Sequence, residues 1–328
     1  MSRRLTIVCA MIVCLCITAA SGCSSVSSPT AVLRSGTASI QKTPQSLGHW
    51  TIKASMQSRR EGPAAGVISG VLYAVGGWKK HTGPLHSVEA YDTMTNTWTT
   101  KAPLPTARRD LGVGVVSGIL YAVGGQDSRI PLGDNAAYDP STNSWTTKAY
   151  LQVSRDSFGL GVINGRLYAV GGDSFDGQSN VVEAYDPATD SWTYKTPMPT
   201  ARWGLAAGVV GGMLYAIGGN VGSNKVEAYD PSTDTWTTKA PMPTGRVSLA
   251  VSVIGGKIYA VGGCEVVFCR TAMKTAEAYD PATNTWATKA SMPTARDSLA
   301  AGSINGNLYA VGGENSGQLK TLEVFNPR

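Results

Sequence analysis

Six pairs of adjacent glycines, Gly76/Gly77, Gly124/Gly125, Gly171/Gly172, Gly218/Gly219, Gly262/Gly263 and Gly312/Gly313, punctuate this chain, each preceded by Tyr-Ala-Val or Tyr-Ala-Ile. An arginine stands 16 residues before the first glycine of every pair (Arg60, Arg108, Arg155, Arg202, Arg246, Arg296), and a tryptophan stands ten residues before every arginine. From Arg60 to Arg296 the unit advances 236 residues in five steps, a period of about 47 that falls among the repeat lengths of radially stacked sheets. Length alone would allow the 328 residues two domains. The repeat argues instead for one closed domain over residues 48–328.

Each unit accommodates four strands, as in Leu205–Val210, Met213–Ile217, Lys225–Tyr229 and a run beginning at Trp236. The first is rich in Gly, Ala, Val and Ser, which suits strands crowded around an axis. The second ends at the paired glycines, where positive φ and close backbone approach carry no Cβ clash. The third ends at Asp230-Pro231, a turn-forming pair. Four short antiparallel strands per unit, arrayed radially, make an all-β propeller of six blades.

The arginine, paired glycines, tyrosine and tryptophan at fixed spacing resemble the kelch repeat, over residues 48–328. Tyrosine precedes tryptophan by seven residues in five units, but the sixth stops at Phe325-Asn326-Pro327-Arg328 before any tryptophan. The missing strand is matched at the other end, where His49 to Met56 parallels Thr285 to Met292. The strand around Trp50 is therefore expected to complete the last blade and leave no open edge.

Residues 1–23 read as an export signal, with Arg3 and Arg4, an apolar run from Leu5 to Ala19 and a small-residue site ending at Cys23. The run falls short of the ~20 residues that span a bilayer. Gly22-Cys23 resembles a bacterial lipoprotein signal, which implies lipidation of Cys23 and a lipid-anchored protein of the cell envelope; Ala20 stands where that pattern more often has leucine, and an ordinary signal peptide is the alternative. Residues 24–47, rich in Ser, Thr, Pro and Gly, read as a flexible tether. Outside the leader and Cys23 only Cys264 and Cys269 remain. Five apart in one loop of an exported chain, they read as a local disulfide. Of the 28 basic residues two belong to the leader, leaving 26 against 22 acidic, a mild excess that gives no reason to expect nucleic acid. A monomer is expected.

All length variation between units lies in one loop, from the second glycine to the next tyrosine or phenylalanine, at 14, 13, 13, 10, 16 and 12 residues. Loops on a rigid scaffold gather binding residues, and by strand count these loops share a face with the turns carrying the arginines. Six tryptophans sit on motif positions and read as packing. Trp78 and Trp203 do not, and both fall on the loop face, where an aromatic can stack on a sugar or anchor a protein. The six arginines recur so regularly that a structural role comes first. In a kelch domain that captures acidic peptides for a ubiquitin ligase, arginines at this position and residues just after the glycines touch the ligand, which implies a mouth lined by Arg108, Arg155, Arg202, Trp78, Asp173 and Glu314.

Catalytic chemistry is hard to assemble. His81 and His86 on one loop make a weak metal site, and no cofactor is expected. The copper-radical oxidases of this fold need a tyrosine-linked cysteine and paired histidines, which the chain lacks. One enzymatic reading survives by resemblance to exported kelch sialic acid epimerases, with Glu314, Asp173 or Glu61 as acid and base beside Arg296, Arg155 or Arg60. The leading expectation is a non-catalytic module that binds a protein or a glycan on its loop face.

Overall fold

The computed structural model describes residues 46–328 apart from residue 221 and residues 266–270; the expected signal, the Cys23 anchor site, the tether up to residue 45 and Cys269 lie outside the described residues, while Ser46 and Leu47 at the tether's end accept bonds from Lys289 and Ala290. The described residues form six four-stranded antiparallel sheets. In the fourth, Ala206–Val210, Met213–Ile217, Val226–Asp230 and Thr235–Thr238 follow one another from the axis outward, within a residue of the expected runs. The six innermost strands, Ala64–Ile68, Gly112–Val116, Gly159–Ile163, Ala206–Val210, Ala250–Ile254 and Ala300–Ile304, each adjoin two others in a closed cycle. Their small residues are what let them meet. A Cβ on Gly161, for instance, would lie 2.8 Å from side-chain carbons of Leu214 and Val209 in the next blade.

The ring closes as expected. His49–Lys53 pairs antiparallel with Leu322–Asn326, setting Trp50 opposite Phe325. Those two rings lie 5.1 Å apart, and Trp50 Nε1 donates to the Ala290 carbonyl of blade 5 at 2.7 Å. The other five motif tryptophans repeat this bond to the preceding blade, at Ala54, Ala102, Ala149, Thr196 and Ala240.

The motif arginines are buried struts. Arg155 is 0 % exposed and bonds the Gly171, Val181 and Ala169 carbonyls; its NH2 lies 3.0 Å from Glu183, equally buried. Arg202–Glu227, Arg246–Glu277 and Arg296–Glu323 repeat the pair at 2.7, 2.7 and 2.6 Å, and Arg60–Glu89 makes the fifth. The glutamate also ties down the neighbouring turn, as where the Gln57 and Ser58 amides donate to Glu89. Blade 2 departs, with Ala136 at the glutamate position and Arg108 3.3 Å from the partly exposed Asp134. Burial pulls every one of these guanidinium groups below its ordinary pKa and the paired carboxylates pull back.

The arginine backbone does a second job. Each arginine carbonyl accepts from the second glycine of the preceding blade, from Gly77 N to Arg108 O at 2.9 Å round to Gly313 N to Arg60 O at 3.0 Å. The first glycine lies against the same oxygen. At Gly76, with φ of 63°, an added Cβ would sit 2.5 Å from Arg108 O, so no larger residue fits.

Candidate functional site

One residue beyond each buried arginine the chain emerges at the axial opening. Successive side chains of extended backbone point to opposite sides, so an arginine packed into its blade turns its successor outward. The successors are Glu61, Arg109, Asp156, Trp203, Val247 and Asp297. Each is paired across antiparallel backbone with the residue that follows a glycine pair, namely Trp78, Gln126, Asp173, Asn220, Cys264 and Glu314. This collar therefore lies on the face from which the variable loops start. One residue further, Gly62, Asp110, Ser157, Gly204, Ser248 and Ser298 are joined amide to carbonyl in a closed ring of six bonds of 2.7–2.9 Å. Below that ring lies an axial cavity of about 190 Å³ in which Asp110 is the only charged lining residue.

The collar is polar across blades 6, 1, 2 and 3. Arg109 is its centre. Its NH1 donates to Glu61 Oε1 at 3.1 Å, and its Nε and NH2 donate to Gln126 Oε1 at 3.0 and 2.8 Å. Asp110 Oδ2 lies 3.4 Å from the Arg109 Nε. The guanidinium carbon sits 5.9 Å from the centre of the Trp78 ring, a cation–π arrangement. On one side Gln126 Nε2 donates to Asp156 Oδ2 at 3.2 Å, and on the other Gln318 Nε2 donates to Glu61 Oε2 at 3.0 Å. Ser157 and Ser298 hydroxyls donate to Asp156 and Asp297.

Burial, together with hydrogen bonds and charges between neighbouring carboxylates, raises four of these acids. Burial, reinforced by the charges of Asp156, Glu61 and Asp297, pushes Asp110 up to about 7 against the pull of Arg109. A hydrogen bond with Glu61, then burial and the charges of Glu61 and Asp297, push Glu314 up to about 7. Burial takes Asp156 and Asp297 to about 6. Groups that change protonation near neutrality suit acid–base work and charge-selective binding.

The model for the KLHDC2/KLHL20/DRC7 Kelch-repeats domain matches residues 160–328, and the Kelch motif matches residues 59–105 and 107–152. The chain belongs to the kelch-repeat family. Among solved structures it is similar to YjhT, with a TM-score of 0.72 and 17 % identity over 82 % of this chain and 95 % of that one; at that identity the likeness speaks for the kelch fold. No curated protein matches the chain.

In this kelch ring the expected site residues divide sharply. Trp78, Asp173 and Glu314 stand in the collar, half-buried, with Glu61 beside Glu314. Trp203 stands in the collar at blade 4, its amide accepted by Asn220 Oδ1 at 3.1 Å. The kelch arginines are corrected: Arg108, Arg155, Arg202 and Arg296 are 0–1 % exposed and spend their guanidinium groups on backbone carbonyls and carboxylates inside the blades, so they neither line the mouth nor stand beside a catalytic carboxylate. Arg109, Asp110, Gln126, Asp156 and Asp297 are the additions. Cys264 is buried and disulfide-bonded. His86 lies with Nδ1 2.7 Å from the Leu104 carbonyl oxygen, and among the described residues no group of acidic, His or Cys side chains is placed to hold a metal ion.

Proposed function

We propose that this kelch propeller is a binding module for a carbohydrate that seats on the collar at blades 6, 1, 2 and 3. The observation that carries the reading is the continuous chain Gln318, Glu61, Arg109, Gln126, Asp156 with Trp78 held against Arg109. Carboxylates and amides are the partners that sugar hydroxyls take, and a fixed indole offers an apolar face to a pyranose ring. The axial cavity has a volume of about 190 Å³, a concave site on the scale of a small ligand and not of a folded protein surface. The test is a titration of the full chain with a panel of mono- and oligosaccharides followed by NMR. Binding should be lost in Trp78→Ala and Arg109→Ala while both variants keep the wild-type circular dichroism; sugar binding that ignores both substitutions refutes the site.

A second reading, an enzyme of the sialic acid epimerase type, is favoured by Glu61 and Glu314, a hydrogen-bonded carboxyl pair with Glu314 raised to about 7. Its substrate is an anion, however, and would meet six collar and ring carboxylates with a single guanidinium already engaged. Accelerated mutarotation of sialic acid, abolished by Glu314→Gln, would make it the better account. We also propose export and lipid anchoring through Cys23, for which Cys23→Ser should release the protein from membranes.

A further inference from the structure

We propose that the sugar bound at the collar carries a free amine, and that its ammonium group sits among Glu61, Asp110, Asp297 and Glu314. The inference rests on the carbohydrate reading and names the class of sugar.

This chain supplies its own standard for a buried carboxylate. Glu89, Glu183, Glu227, Glu277 and Glu323 are each paired with a buried arginine. Asp156 and Asp297 are buried as deeply, at 4 % exposure each, yet neither has a basic partner, and Asp173 and Glu314 likewise form no ion pair among the described residues. Among the described residues Asp297 takes one side-chain hydrogen bond from another residue, from Ser298 to Oδ1 at 2.9 Å. Arg109 pairs with Glu61 and Asp110, at 3.1 and 3.4 Å, and so sets a single positive charge against several carboxylates. A buried carboxylate without a counter-charge is costly. Inside the blades five buried glutamates each have a guanidinium, whereas among the described residues Asp156 and Asp297 at the axial opening form no ion pair.

An ammonium group matches these acceptors in number and sign. It has three donors and no acceptor, and the four carboxyl groups offer acceptors from blades 6, 1 and 2. A hydroxyl at the same ring carbon donates once and carries no charge, and an acetamido group adds bulk without charge. The cavity beneath the ring, about 190 Å³, gives room for the group to enter beside Asp110. Because burial and neighbouring charges push Asp110 and Glu314 up to about 7, a bound cation should drive protons off them.

The experiment is calorimetric titration of the full chain at pH 6.5 with D-glucosamine, D-glucose and N-acetyl-D-glucosamine, in two buffers of different ionisation enthalpy. Glucosamine should bind at least tenfold more tightly than the other two and release protons on binding. Asp297→Asn and Glu314→Gln should each cut that preference to threefold or less. Equal or tighter binding of glucose or N-acetylglucosamine, dependent on Trp78, would overturn the ammonium and leave the carbohydrate reading standing. Absence of glucosamine binding also overturns it, and if the neutral sugars fail as well, the carbohydrate reading falls with it.

Discussion

The amide of Gly62 donates to the carbonyl of Ser298 at 2.8 Å, joining residues 236 positions apart. It is one of six equivalent bonds, and the other five link consecutive blades. The same pair of blades is joined at larger radius by the Gly313 amide on the Arg60 carbonyl, and blade 6 is itself completed by His49–Lys53 at its outer edge. Closure is thus made at three radii. The axial opening is rigid because its rim is a ring of backbone bonds, and the collar inherits that rigidity.

The outermost closure is the one a single substitution tests. Trp50→Ala removes the packing on Phe325 and the bond to Ala290. It should cost about 2–4 kcal/mol and lower the urea midpoint. Trp78→Ala, on the half-buried collar, should cost under about 1 kcal/mol. Urea denaturation followed by circular dichroism compares the two, and equal losses would mean that the N-terminal strand is not what locks the ring.

The buried ion pairs predict an ordering. Glu183→Ala leaves the Arg155 guanidinium buried and unpaired and should cost about 3–5 kcal/mol. Asp134→Ala removes a partner that is 21 % exposed and 3.3 Å away, in a blade already lacking the glutamate, and should cost less than about 2 kcal/mol. Thermal melts of the two variants should differ in that direction; a larger loss at Asp134 would contradict the strut assignment.

Legibility followed repetition. Fixed spacing exposed the blades, the glycine pairs and the shared strand of blade 6, because those residues satisfy the same constraint six times. The collar was harder to see, since it consists of departures from the repeat. Arg108 and Arg109 are adjacent and chemically alike, and the recurring one drew notice while the other carries the site. The available signal was the column just after the motif arginine, where Glu61, Arg109, Asp156, Trp203, Val247 and Asp297 show no fixed residue and three acids, beside a next column of glycine and serine broken only by Asp110. The glutamate two residues before the motif tyrosine or phenylalanine in five blades was a second, pointing to the partner of the buried arginine.

Asp110 makes stability depend on pH. Its carboxyl titrates at about 7 in the folded chain, against roughly 3.9 in an unfolded one. Between these values the folded chain holds a proton that the unfolded chain has lost, so the contribution is complete below about pH 4 and fades as pH rises through 7. The wild type should therefore lose stability from pH 5 to pH 8. Asp110→Asn should flatten that slope and stabilise the protein at pH 8 by on the order of 1–2 kcal/mol, discounted for a side chain that remains a quarter exposed. Melting temperatures across that range decide it, and an unchanged slope in the variant would place the titrating group elsewhere.

Arg109 restrains the same carboxylates. Its charge lowers Asp110, Asp156 and Glu314, working against burial and their mutual repulsion. Replacing it with glutamine removes the only positive charge in the collar and leaves the neighbouring acids to one another. The midpoints of Asp110 and Glu314 should then move upward by about 1 pH unit, read by carbon-13 NMR of the side-chain carboxyls. Glu61 loses one of its two side-chain donors in the same variant and keeps Gln318, so it should stay in place to report on Glu314. Midpoints that do not move would show that burial alone sets them, and the collar would then be a row of independent acids.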